Sequence, residues 1–227
     1  MKLKGMLYGI GVGPGDPELI TVKAIKILEQ CDIAAAPSVK GHEQTALKIA
    51  APYIKGKQIL NLDIPMTHNS EERYKSHIAA VDEIAKQLDN GRNVALLTLG
   101  DPTVYSSYWY IHRMLVNKGY EAEIIPGVTS FCAAAARLGE ALCEDGQMLH
   151  IIPASHGFIK DGLDLPGNKI FMKAGRKLPM LMDELRNRGQ LSRASLVEQC
   201  GMENERVFES LDDYKDENGY FGIVLVK

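Results

Sequence analysis

Residues 6–28 constrain this chain more than any other stretch. An apolar strand pattern (Met6, Leu7, Tyr8, Ile10, Val12) runs into a turn with glycine at every second position (Gly9, Gly11, Gly13, Gly15), and a helical pattern follows. Asp16 is placed to accept backbone N–H groups as an N-cap, and Pro17 sits where a first helical turn tolerates proline. Leu19, Val22, Ile25 and Leu28 recur every three residues, which predicts one apolar helical face. Without Cβ atoms, such a turn lets a ligand or a neighbouring segment approach the main chain closely. Three uses compete. A dinucleotide site needs Gly-x-Gly-x-x-Gly and an acidic residue closing the second strand. Here Gly11-Val12-Gly13-Pro14-Gly15 spaces its glycines by two, and Ile33-Ala34-Ala35-Ala36-Pro37-Ser38 ends without an acid. A phosphate loop needs Gly-Lys-Ser/Thr, which is absent from the turn. The remaining alternative is a tight turn that binds nothing.

Downstream, strand candidates at 32–36, 57–62, 94–99 and 121–125 alternate with helical spacing at 45–54, 71–89 and the stretch carrying Tyr105, Tyr108, Trp109, Ile111, His112 and Leu115. Pro37 is expected to stop the second strand and Pro52 to interrupt the second helix. Residues 63–70 read as a long loop. The helix at 71–89 places Ile78, Val81, Ala85 and Leu88 on one face and ends at Asn90-Gly91. The unbroken apolar run 94–99 has the form of a strand buried on both faces of a parallel sheet. Repeated β-α alternation predicts a parallel sheet with right-handed crossovers over residues 1–120. From 121 the pattern changes. Five strand candidates, near 148–152, 169–172, 194–198, 206–209 and 222–226, accompany two clear helical stretches near 130–137 and 179–187. A mixed sheet is expected, so the predicted fold is α/β, with domains at 1–120 and 121–227 and a cleft between them where ligands of open α/β folds bind.

A net charge of −3 in 227 residues gives no general basic field, so nucleic acid is not favoured as a partner. No apolar run approaches membrane-span length and no signal-peptide core precedes the first strand, so a cytoplasmic protein is expected. Cys31, Cys132, Cys143 and Cys200 are scattered and read as free thiols, and the six histidines form no close ligand pair, so no protein-held metal is expected.

Two further strand-end glycine turns, Leu99-Gly100-Asp101-Pro102 and Pro126-Gly127-Val128-Thr129-Ser130-Phe131, join Gly11-Val12-Gly13-Pro14-Gly15-Asp16-Pro17-Glu18-Leu19. With these three turns the chain resembles the tetrapyrrole methylase family, which moves a methyl group from S-adenosylmethionine. The resemblance implies that Pro14 lies beside this cofactor, that Leu99, Gly100, Asp101 and Val104 form the central contact, and that Thr129 and Ser130 follow the third turn. Met172 and Cys200 match the positions that close over it from the second domain. On its own chemistry Asp101 reads either as a ligand acceptor after a buried strand or as the N-cap of the next helix. Met172 alone reads as core and Cys200 as a turn residue. The text Leu99-Gly100-Asp101-Pro102-Thr103-Val104-Tyr105-Ser106-Ser107, with Ile64-Pro65-Met66-Thr67 upstream, looks most like the branch that methylates C20 of precorrin-2 or of cobalt-factor II in cobalamin biosynthesis. The uroporphyrinogen branch usually carries a second glycine where Leu99 stands.

Such a substrate is a polycarboxylated macrocycle, and Lys173 and Arg176 are the candidate cations for its acid arms, or else solvated surface charges. Any cobalt is expected inside the macrocycle. The family also implies a homodimer. The alternatives are methylation at another carbon of a corrin precursor, a non-catalytic tetrapyrrole-binding protein, and a nicotinamide-dependent oxidoreductase; the last is opposed by the glycine spacing.

Overall fold

The apolar runs of the first half line up as a parallel sheet. The computed structural model describes residues 3–38, 44–65, 67, 69–215 and 221–227; Met66 and His68 of the expected 63–70 loop, and His42, lie outside them. Strands β1 (Leu7–Gly11), β2 (Ile33–Ser38), β3 (Gln58–Asp63), β4 (Val94–Thr98) and β5 (Ala122–Ile125) pair in the order β3-β2-β4-β1-β5, every pair parallel. Alternate residues face opposite sides. Leu7, Val94 and Leu96 pack with α3 (Ser70–Asp89) and α4 (Tyr108–Asn117), while Ile10, Ala95 and Leu97 pack with α1 (Val22–Gln30) and α2 (Thr45–Ala50).

Four local expectations change. Asp16 caps only a 3-10 turn, Pro17–Leu19, and Ile20 is extended. Thr21 then caps α1 by accepting from Ala24 N, so the three-residue periodicity resets: Ala24 and Leu28 are buried and Val22 is exposed. Strand β2 runs through Pro37, because β4 pairs with it only at residues 33–35 and the missing N–H of Pro37 falls where that edge is open. In α3 the buried positions are His77, Ala80, Val81, Ile84 and Leu88, which leaves Ile78 exposed. An additional short helix, α6 (Ile159–Asp164), forms between the first two strands of the second half.

The expected division after residue 120 also moves. Strand β5 pairs with β1 from Leu7↔Ala122 to Ile10↔Ile125, which ties it to the first sheet, and the chain divides into compact units Met1–Thr129 and Ser130–Lys227.

In the second unit, β6 (Leu149–Pro153), β7 (Asn168–Met172), β8 (Ala194–Glu198), β9 (Arg206–Phe208) and β10 (Gly222–Val226) form a mixed sheet in the order β6-β7-β10-β8-β9. Only β6 and β7 are parallel. Helices α6 (Ile159–Asp164) and α7 (Leu178–Asn187) cover one core with Phe171, Leu196 and Val224, and α5 (Ser130–Leu138) lies against β8 and β10. At the β8–β9 end the Glu198 carboxylate, 2% exposed, pairs with Arg206 Nη2 at 2.5 Å and accepts the Tyr214 hydroxyl at 2.9 Å.

His77 yields a pH prediction. It is buried, stacks on Tyr110 with ring centroids 5.1 Å apart, and its Nε2 has no hydrogen-bond partner among the described residues. Burial, then the charge of Arg73, lowers its pKa. The unfolded chain, with a histidine pKa of about 6.5, therefore binds the proton more readily than the native state. The stability contributed by neutral His77 is complete above about pH 6.5 and is lost as pH falls toward the lower folded value. The drop in urea midpoint between about pH 7.5 and about pH 5.5 is expected to be smaller in His77→Phe, which keeps the stack without the proton. Equal drops in both proteins would remove His77 from the acid response.

Candidate cofactor and substrate site

Three glycine turns meet at the carboxyl end of the first sheet. Strands β4, β1 and β5 are neighbours, so the turns after them lie side by side. Gly13 and Gly100 exchange backbone bonds, Gly13 N to Gly100 O at 3.3 Å and Gly100 N to Gly13 O at 2.8 Å, and Gly100 takes a left-handed φ of 71°. The contacts leave no room for side chains. A Cβ on Gly11 would fall 2.6 Å from both Gly100 O and Gly127 N, and one on Gly127 would fall 2.2 Å from Gly100 O. The glycines therefore serve first for the approach of one turn to another, the neighbouring-segment alternative raised by the sequence.

Asp101 completes this stack. Its carboxylate leaves β4, passes over Gly11 at the end of β1, and accepts Gly127 N at 2.9 Å on the turn after β5. The other oxygen accepts both the backbone N–H, at 2.8 Å, and the hydroxyl of Thr103. Asp101 is 8% exposed and is engaged by protein donors, and its side chain is not the N-cap of the next helix. It is a strap between turns, and α4 begins only at Tyr108. What the strap leaves for a ligand is main chain: Pro14 and Gly100 are buried, and Leu99, Val104 and Thr129 are half-buried. Thr129 Oγ1 is enclosed without a hydrogen-bond partner among the described residues. An orphaned hydroxyl beside three converging backbone turns suits a polar ligand that needs hydrogen bonds and little charge.

The other expected site residues lie in the second unit. Ser130 opens α5. Met172 ends β7, and Lys173 and Arg176 follow it, both exposed. Desolvation by the surrounding protein lowers the Lys173 pKa although the side chain reaches solvent. Cys200 follows β8 by two residues and is buried. Its thiol is pushed up to about 11, first by burial and then by the charge of Glu205. Glu205 holds this turn: one oxygen accepts Gly201 N at 2.7 Å and the other pairs with Arg137 Nε. Burial opposes ionisation of Glu205, but Arg137 and Gly201 outweigh it and hold its pKa below the usual value.

Some features have no counterpart in the sequence reading. The Glu205–Arg137 pair joins residues with |i−j| of 68 that belong to no motif. Four residues other than glycine have left-handed backbone among the described residues: Tyr105 (φ 47°), Lys173 (55°), Gln199 (49°) and Phe221 (53°). Each costs about 1–2 kcal/mol relative to ordinary angles, and no residue type at these positions signals it in advance.

Known proteins share this architecture. The family model of Tetrapyrrole (Corrin/Porphyrin) Methylases matches residues 6–213. A precorrin-2 C(20)-methyltransferase of Sinorhizobium sp is 34% identical over 98% of this chain and 95% of its own length. A probable cobalt-precorrin-2 C(20)-methyltransferase of Methanocaldococcus jannaschii is 33% identical over 100% and 97%. The cobalamin biosynthesis protein CobIJ of Mycobacterium bovis is 33% identical over 100% of this chain, which spans 46% of that relative's length. Among solved structures, cobalt precorrin-4 methyltransferase CbiF has a TM-score of 0.72 at 22% identity, covering 97% of this chain and 94% of its own. Uroporphyrin-III C-methyltransferase of Thermus thermophilus, crystallised with S-adenosyl homocysteine, has a TM-score of 0.69 at 19% identity, covering 98% and 97%.

Proposed function

Because the chain belongs to the tetrapyrrole methylase family, we propose that it is an S-adenosylmethionine-dependent methyltransferase of cobalamin biosynthesis that methylates C20 of precorrin-2 or cobalt-factor II. The observation that carries this reading is the 34% identity with a precorrin-2 C(20)-methyltransferase over nearly the full length of both chains. When bound, S-adenosylmethionine supplies an electrophilic methyl group on a sulfonium. The residues around the three turns fit such a group, since they offer main chain from residues 99–104 and the unpartnered Thr129 hydroxyl, with the one buried carboxylate already engaged.

The protein's part in an in-line methyl transfer is chiefly alignment, worth up to roughly 7–11 kcal/mol in favourable cases. Pro14, Leu99, Gly100, Asp101, Val104 and Thr129 hold the donor, with Asp101 also bracing the turns they occupy; Ser130, Met172 and Cys200 are the remaining donor contacts of this reading. Cys200, with its thiol pushed up to about 11, stays protonated near neutral pH and offers no thiolate to capture the methyl group. Lys173 and Arg176 pair with acid arms of the macrocycle. Incubation with S-adenosylmethionine and precorrin-2, in parallel with cobalt-factor II, tests the reading by mass and NMR analysis of the product. One methyl group on C20 is expected, and a methyl group elsewhere overturns the C20 assignment.

The proposal includes a cytoplasmic homodimer. No helix among the described residues is long and apolar enough to cross a membrane. Helices α3 and α4 expose Tyr74, Ile78, Trp109, Tyr110 and Val116, an unusual density of large apolar side chains for a monomer surface. Sedimentation velocity is expected to show a wild-type dimer that Trp109→Glu weakens at least tenfold; a wild-type monomer ends this part of the proposal.

A further inference from the structure

Three of the four left-handed residues other than glycine stand on one rim of the second sheet. Lys173 follows β7, Gln199 follows β8, and Phe221 precedes β10, the strand between them. The register fixes their positions. Phe171↔Val224 carries Lys173 opposite Gly222, and Glu198↔Gly222 carries Gln199 opposite Phe221, where Gln199 N donates to Phe221 O at 3.4 Å. With strands about 4.8 Å apart, the three residues fall within roughly 10 Å of one another.

Glycine relieves this backbone strain at no steric cost, and the same unit uses it at Gly157, Gly175 and Gly201. Keeping a lysine, a glutamine and a phenylalanine in left-handed backbone along one rim indicates that the side chains themselves are needed there. Their chemistry is mixed in a specific way. Lys173 brings a cation whose desolvation raises the return from pairing with an anion, Gln199 brings amide donors, and Phe221 brings a ring with 36% of its surface exposed. A flat ring edged with carboxylates matches all three features.

We propose that Lys173, Gln199 and Phe221 form a specificity rim for the tetrapyrrole, with Lys173 and Gln199 taking carboxylate arms and Phe221 lying against the macrocycle. This rests on the methyltransferase reading above and adds Gln199 and Phe221 to the substrate contacts. Gln199→Gly and Phe221→Gly test it, because glycine removes the side chain and the strain together. Each variant is expected to melt at or above the wild-type temperature, to bind S-adenosylmethionine within twofold of wild type by calorimetry, and to raise KM for the tetrapyrrole at least fivefold; the double variant is expected to raise it further. Gln199→Ala, which keeps the left-handed strain, is expected to raise KM as Gln199→Gly does without the gain in melting temperature. Wild-type KM in the glycine variants overturns the rim while leaving the methyltransferase reading intact. Weakened S-adenosylmethionine binding with KM unchanged also overturns it and makes these residues supports of the cofactor turn. Failure of the wild-type protein to methylate any tetrapyrrole overturns both readings.

Discussion

Gly127→Ala is expected to leave a folded protein that binds S-adenosylmethionine about 100-fold more weakly. The added Cβ would lie 2.2 Å from Gly100 O and 2.8 Å from both the carbonyl carbon and the Cα of Gly11, all of them backbone atoms that no rotamer change can clear. The turns after β4, β1 and β5 must therefore separate, and the bond from Gly127 N to Asp101 lengthens with them. A displacement of about 1 Å in groups that position a ligand is enough for a loss of that order. Gly127 lies beyond the end of β5, outside the paired strands, so the sheet is expected to form. Calorimetry on a variant with wild-type circular dichroism checks this, and unchanged affinity would remove the cofactor from the glycine stack.

Arg206→Ala is expected to cost about 3 kcal/mol of stability, and Glu198→Gln about 1 kcal/mol. Removing the arginine strands a carboxylate that is 2% exposed, leaving the Tyr214 hydroxyl as its partner among the described residues. Removing the charge on Glu198 instead keeps a partner for Tyr214 and leaves an arginine whose side chain is 44% exposed and can be hydrated. Loss of Arg206 also withdraws a guanidinium 5.7 Å and 5.8 Å from the rings of Phe208 and Tyr214. Urea unfolding of both variants reads the asymmetry. Equal losses would mean that the pair contributes through packing and not through the burial of charge.

The parallel sheet was legible because strands buried on both faces are written as unbroken apolar runs, of which residues 94–99 are the clearest. The five strands of the second unit were legible for a related reason: β8 and β10 are buried along their whole length. Periodicity failed where an element is short or interrupted. Helix α6 has six residues with a glycine inside, too few turns to show a face, and the extended Ile20 breaks a stripe that looked continuous. Ile78 outranks His77 on any hydropathy scale, yet His77 takes the core position by stacking on Tyr110. The first unit's end was misplaced because β5 has only four residues and its pairing with β1 spans more than a hundred positions.

In the candidate site the glycine turns themselves were legible, since close backbone approach leaves glycine at fixed spacings. The job of Asp101 was not. A carboxylate after a buried strand carries no sign that it also reaches a turn two strands away, because its partner Gly127 is brought near only by the strand order β4-β1-β5. The left-handed Lys173, Gln199 and Phe221 left no trace in the sequence because their backbone angles are imposed by the ladder around β10 and not by their own preference.

The strap from Asp101 to Gly127 also sets when the proposed cofactor site can form. Its two ends are 26 residues apart, and Gly11 of the opening strand lies against both turns, so no local segment contains the whole of the proposed site. Pairings of such long sequence separation form late in folding. On that proposal an emerging chain lacks the complete site until β5 has docked beside β1, after which cofactor at 100 times its Kd adds about 2.7 kcal/mol to the assembled state. Cofactor capture during refolding is thus a direct clock for closure of the first sheet, and it should lag behind the gain of helical signal.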